Sequence, residues 1–171
     1  MTELHINDFC HDSAQALVQL YHSFPRPRAL YVADIAGIEE RDELGLYPPR
    51  HMACLSTLLW LADEGFIRYT TLIYEEGIEQ AVLTHATFVL LSHQQVPAAL
   101  CADKGTSNWV KNLTLALREQ DSQRLSTLMH HFLAAALTLP KDTSTPHPTV
   151  VPPNKDEKAA LPTIEEMFSS L

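Results

Sequence analysis

Lysine is absent from the first hundred residues of this 171-residue chain. That segment holds five arginines against thirteen aspartates and glutamates, so −8 of the overall formal charge of −9 sits there. Proteins that grip nucleic acid draw much of their affinity from neutralising phosphates with Lys and Arg. A domain of this charge has to gather its few arginines on one face, or bind something other than a polyanion. Glycine is scarce as well, with five in the chain. The sequence has no Gly-rich phosphate loop, no Gly-x-Ser-x-Gly elbow and no acid pair set in a distinctive motif. It reads as a non-enzyme that needs no cofactor. The cysteines are Cys10, Cys54 and Cys101, odd in number and far apart, which suits reduced thiols better than a disulfide framework. No stretch approaches the ~18 consecutive apolar residues of a membrane-spanning helix. The opening MTELHINDFCHD lacks the basic-then-apolar order of a secretory leader. A cytoplasmic location with no membrane attachment is the expectation.

What is present points to a packed core. Hydrophobic residues make up 46% of the chain, which excludes wholesale disorder, and the length suits one ordinary domain with a small appendage. Asp12 and Ser13 have N-cap chemistry, and Ala14, Leu17, Val18, Leu20, Tyr21 and Phe24 follow at helical spacing. Pro25 and Pro27 end that helix. The apolar stretch around Leu30–Val32 reads as a strand and Ala33–Gly37 as a brief helix. Segment 39–49 is polar and contains Gly45, Pro48 and Pro49, so it reads as an exposed loop. Helix formers run from about His51 to Glu64, and Gly65 stands where a C-cap glycine belongs. FIRYTTLIY and QAVLT are β-type runs separated by EEGIE, a hairpin through Gly77. A further helix begins near Thr84 and ends by Pro97.

Two more helical patterns cover 107–118 and 122–137. In the second, Leu125, Leu128, Met129, Phe132, Leu133, Ala136 and Leu137 form one apolar stripe. After Pro140 the run KDTSTPHPTVVPPNKDEK is proline-rich and polar, which predicts a mobile linker. PTIEEMFSSL closes the chain as an amphipathic segment, with Leu161, Ile164, Met167 and Phe168 suited to docking in a groove. A frayed terminus is the plainer reading. The organisation expected is a first domain over 1–102, a helical pair over 103–139, and a flexible linker with a short terminal helix over 140–171.

The order helix, strand, short helix, longer helix, hairpin, helix resembles the winged helix-turn-helix superfamily over about residues 13–92. The local pattern LLWLADEGFIRY running into QAVLTHATFVLL is similar to small bacterial regulators of the multiple-antibiotic-resistance and phenolic-acid types. There a recognition helix ends in Leu-x-x-x-Gly-hydrophobic-Ile, and the second wing strand ends in Leu-Thr. Leu61, Asp63, Gly65 and Ile67, then Leu83 and Thr84, occupy those places here. The resemblance implies an α-rich α+β fold with a two-stranded wing followed by C-terminal helices. It also implies transcription regulation through DNA as one function, while winged helices serve equally as protein-binding and dimerising units. The loop at 39–49 is longer than the tight turn usual in such DNA-docking domains.

Candidate site residues follow. On helix 51–64 the sequence places Met52, Leu55, Leu58, Leu59 and Ala62 on a core face, and Ala53, Ser56, Thr57, Trp60 and Glu64 on an outward face. DNA readers usually put Arg, Lys, Asn or Gln there to meet base edges, and this face has none. The leading expectation is therefore a regulatory binding protein acting through protein contacts. A DNA-binding regulator in which Arg26, Arg28, Arg50 and Arg68 converge on one face is the alternative, and the acidic charge disfavours it. Glu75, Glu76 and Glu79 at the hairpin tip weigh against a wing that enters a minor groove. His5, Cys10, His11 and Asp12, and the adjacent His130 and His131, lack a recognised ligand spacing, so no metal is expected. Leu125, Leu128, Met129 and Phe132 either cover the chain's own core or form a homodimer interface.

Overall fold

The structure is a computed structural model that describes residues 2–38, 40–93, 96–101 and 108–138, with side chains from residue 5 onward. The linker and terminal segment expected over 140–171, with Leu161, Ile164, Met167 and Phe168, lie outside these residues. The first helix, α1 (Thr2–Ser23), begins ten residues before the cap expected at Asp12. Caps form when an Asp or Ser side chain accepts from backbone N–H groups. Here both Asp12 carboxylate oxygens accept from Arg50, a residue 38 positions away. Ser13 is fully buried, with its Oγ unpartnered among the described residues. Phe9 and Cys10 extend the apolar stripe of Leu17 and Leu20 backward at helical spacing, so the helix carries on through both polar residues.

Three strands pair antiparallel with β4 (Gly77–Leu83). Strand β1 (Arg28–Tyr31) lies on one edge of it, with Leu30 opposite Ile78. On the other edge lie β2 (Ile67–Arg68), with Ile67 opposite Leu83, and β3 (Thr71–Ile73), with Ile73 opposite Gly77. The hairpin turn is shorter than the sequence suggests. It closes over 74–76, where Glu76 N–H donates to Ile73 O, and Gly77 through Gln80 belong to β4. Ile78 is the reason, because its side chain is fully buried in the core rather than displayed in a turn. Gly77 is required by contact, since a Cβ there would run into the Leu30 carbonyl oxygen.

Between β1 and β2 lie α2 (Val32–Ala36) and α3 (Pro49–Asp63). Helix α3 ends as a Schellman motif, with Phe66 N–H on Leu61 O, Gly65 N–H on Ala62 O, and Gly65 at φ +80°. Thr84 Oγ1 donates to Gly65 O at 2.9 Å, tying the end of α3 to the start of α4 (His85–His93).

Helices α5 (Trp109–Glu119) and α6 (Ser122–Ala136) carry side-chain caps at Asn108 and Asp121. Helix α6 packs on α1 and α5. Its stripe residues Leu125, Leu128, Met129 and Phe132 are buried in the same core as Leu17, Leu30, Leu61 and Leu91. The Phe132 ring meets Trp109 at 5.7 Å and Phe66 at 6.0 Å. These four side chains are covered by their own chain, at 3% exposure or less. The fold is helix-rich α+β with a small antiparallel sheet. No helix among the described residues is long and apolar enough to cross a membrane.

Candidate functional site

The outward side of α3 differs in part from the sequence expectation. His51, Cys54, Leu55, Thr57, Leu58 and Leu61 are buried. Thr57 points inward, and its Oγ1 bonds back to Ala53 O at 3.0 Å. Met52, expected in the core, is exposed, as are Ala53, Ser56, Trp60, Asp63 and Glu64. Met52, Ser56, Trp60 and Asp63 follow one another at three- and four-residue spacing, so they share one face. Trp60 is 37% exposed and Met52 38%. Phe9 of α1 meets Trp60 edge-on at 5.1 Å, and Phe66 lies 6.0 Å from it with the rings closer to parallel. The indole is thus braced by two rings while about a third of the residue faces solvent.

Of the four arginines, Arg50 is engaged inside the chain. It donates to both Asp12 oxygens at 2.6 and 2.7 Å, and Asp8 lies 3.8 Å away. Burial pushes the Asp12 carboxyl up, but hydrogen bonds from His11 and Arg50 and the Arg50 charge outweigh it, so it ionises below the usual range. The hydrogen bond to Asp12 raises Arg50 in turn. The neighbouring Cys54 thiol is pushed up to about 12 by burial first and by the Asp12 charge second, which makes it inert at neutral pH. Arg26, Arg28 and Arg68 are exposed. Arg28 and Arg68 lie on opposite edges of β4, across from Ala81 and Val82.

The histidines also have assignable places. His11 Nδ1 lies 3.3 Å from Asp12 Oδ1, and His130 Nδ1 donates to Ser126 O at 2.7 Å. No group of three or more His, Cys, Asp or Glu side chains among the described residues could hold a metal ion.

A second feature had no expectation attached to it. Four residues before the start of the buried part of α3, Tyr47 stacks flat on His51, with ring centroids 3.7 Å apart and planes within 2°. Arg41 lies over the Tyr47 ring, its Cζ 4.3 Å from the centroid. It also donates to Tyr47 Oη at 3.2 Å and lies 3.7 Å from Glu76. The loop carrying them is folded by Asp42, whose Oδ1 accepts from the Leu44 and Leu46 N–H groups. His51 Nε2 lies 2.6 Å from Glu75 O. Beside these groups is a hollow of about 390 Å³ whose walls include Tyr31, Asp34, Ile38, Tyr47, His51 and Glu76. The spacing of Tyr47 and His51 across Pro48–Pro49 was the one sequence signal for it.

No protein-family model, curated protein or solved structure matches this chain.

Proposed function

We propose that this chain is a winged-helix-type binding module that acts on another protein through the outward side of α3. The order of elements supports the architecture. A helix, an edge strand, two helices and a hairpin follow in turn, and the edge strand β1 pairs with the second hairpin strand. The character of the α3 face carries the functional reading. It offers Met52, Trp60 and Asp63 and no cation or amide, while Arg50 at its start is held by Asp12. Such a face lacks the Arg, Lys, Asn and Gln that most often meet base edges. A half-exposed tryptophan braced by two phenylalanines suits an anchor in a protein interface. The partner that fits has an apolar ridge flanked by Lys or Arg, because Asp63 lies on the patch and residues 1–100 carry a net −8. A second copy fits worse, since two acidic faces repel.

A helical probe peptide with a leucine face flanked by lysines tests this. It should shift the Met52 methyl and Trp60 indole resonances saturably, and its glutamate-flanked counterpart should not. Trp60→Ala should weaken binding about 30-fold, the range for an interface anchor. Ser56→Lys, which sets a like charge against the lysine-flanked probe at an exposed position without touching the core, should weaken it as well. Binding unchanged in both variants, or duplex DNA producing the same shifts, would sink the reading.

A further inference from the structure

The exposed side of α3 continues onto α1. Asp12 of α1 meets Arg50 at the start of α3, and Phe9 meets Trp60 near its end, so the two helices run antiparallel. Ile6 lies one turn before Phe9 on the same side of α1 and is 47% exposed. Met52, Trp60 and, through Phe9, Ile6 form an apolar strip in solvent along the α1–α3 seam. Contiguous exposed apolar surface marks an interaction site. We infer that the strip is covered by residues 161–168 of the same chain, which contact it through Leu161, Ile164, Met167 and Phe168 and hold it from a partner. The covering stands on its own observations, and its regulatory consequence rests on the reading of α3 as a partner site.

The place where α6 ends favours this occupant. The Phe132 ring lies 6.0 Å from Phe66, which in turn lies 6.0 Å from Trp60. Helix α6 stops at Ala136, one turn beyond Phe132 and about 6 Å further along its axis. The chain therefore leaves the described fold two ring contacts and one helical turn from the indole, with Leu137 exposed there. Residues 139–160 separate that point from Leu161. A chain of that length spans about 25 Å as a coil, so the strip is within its reach. Such a tether sets an effective concentration on the order of 1 mM.

The sequence of the segment suits the strip. Pro162 has the chemistry of a first helical position. In helical register Leu161, Ile164, Met167 and Phe168 share a side, while Glu166 falls opposite it and Glu165 at its border. Lys158 stands three residues before Leu161 and supplies a cation for Asp63. Asp156 and Glu157 keep the segment from being basic, so apolar contact rather than charge holds it. That makes it a weak ligand, with an intrinsic Kd of about 0.1 mM, which a lysine-flanked partner displaces. Against the tethered concentration, about one chain in ten is then open, and a partner's apparent affinity falls about tenfold.

The experiment compares the full chain with a variant carrying Ile164→Ser and Phe168→Ser, its fold checked by circular dichroism. The variant is expected to move the Trp60 indole and Met52 methyl resonances and to raise acrylamide quenching of Trp60. The Trp109 indole, only 2% exposed, should stay in place. Nuclear Overhauser contacts between the Phe168 ring and the Trp60 indole in the unaltered chain read the same docking without a substitution. Unmoved resonances in a folded variant, or no such contacts, would overturn the proposal. Resonances that change with protein concentration between about 10 and 300 µM would also overturn it, by giving the strip to a second copy's segment. The leucine-faced, lysine-flanked probe should bind the variant about tenfold more tightly than the unaltered chain. Equal probe affinity in both overturns the regulation and leaves α3 a partner site. A probe that binds neither, with the resonances responding, supports the docking and sinks the partner reading instead.

Discussion

Arg50 is the residue whose role changes most between sequence and structure. From the sequence it stands at a helix start with phosphate-binding chemistry, while in the fold it neutralises a carboxylate with no solvent exposure. Removing one partner of a buried pair leaves an uncompensated charge, which costs about 3–5 kcal/mol. Arg50 keeps 26% of its side chain in water, so Arg50→Met should cost about 3 kcal/mol at neutral pH, the low end of that range. The sign of the pH dependence separates this pair from ordinary packing. Asp12 ionises lower in the fold than the ~3.9 of an unfolded chain. Its contribution is therefore complete above the unfolded value and is lost as pH falls through the folded one. Arg50→Met reverses this, because the buried carboxylate, left with only the His11 contact, prefers its proton. Urea unfolding at about pH 7 and pH 4 should show the Arg50→Met deficit shrinking with acid, as the Asp12 charge that has lost its guanidinium is titrated away. A deficit constant over that range would mean the pair contributes no charge interaction.

Helix α6 was legible as an element because its apolar stripe repeats at helical spacing, and the helix runs over Ser122–Ala136. Which surface covers it was not legible, since periodicity states that a stripe is buried without saying by what. In the fold α1 and α5 cover it. Truncating fully buried Phe132 to alanine should cost about 3–5 kcal/mol, measured by chemical denaturation. Met129 is also fully buried, so Met129→Lys should abolish folding rather than yield a folded monomer. Circular dichroism together with sedimentation checks this, and a folded, monomeric Met129→Lys protein would contradict the intrachain burial of the stripe. In helix α3 the length, the glycine cap and most of both faces are legible in the sequence, but Met52 is exposed and Thr57 buried where the spacing places them the other way round. The hydroxyl of Thr57 is satisfied by its own helix backbone, so burying it carries little penalty.

At the scale of the whole molecule, charge governs what the surface attracts. With −8 on residues 1–100 and Arg50 paired internally, few cations remain to displace counterions from a polyanion. A fluorescent random duplex of about 20 base pairs should not bind below about 1 µM at physiological salt, since non-specific affinity comes almost wholly from phosphate neutralisation. Anisotropy titration across salt concentrations checks this, and tight binding with a steep logarithmic salt slope would restore the DNA-binding alternative. The hollow at Tyr47 also belongs to this scale. Its walls come from β1, α2, the 37–48 loop, α3 and the hairpin turn, so no window of sequence contains it.

The sequence by itself determined the periodic helices, the glycine that ends α3, the hairpin and the acidic balance, because each depends on neighbours within a few residues or on composition alone. The tertiary structure decided the rest. It carried α1 through Asp12 and Ser13, since an arginine 38 residues away takes the carboxylate that would have capped a helix start. It gave Ile78 to a strand, since Leu30 lies opposite it. It brought Tyr31, Asp34, His51 and Glu76 around one hollow, because contacts between distant segments are fixed by packing and charge pairing rather than by local pattern.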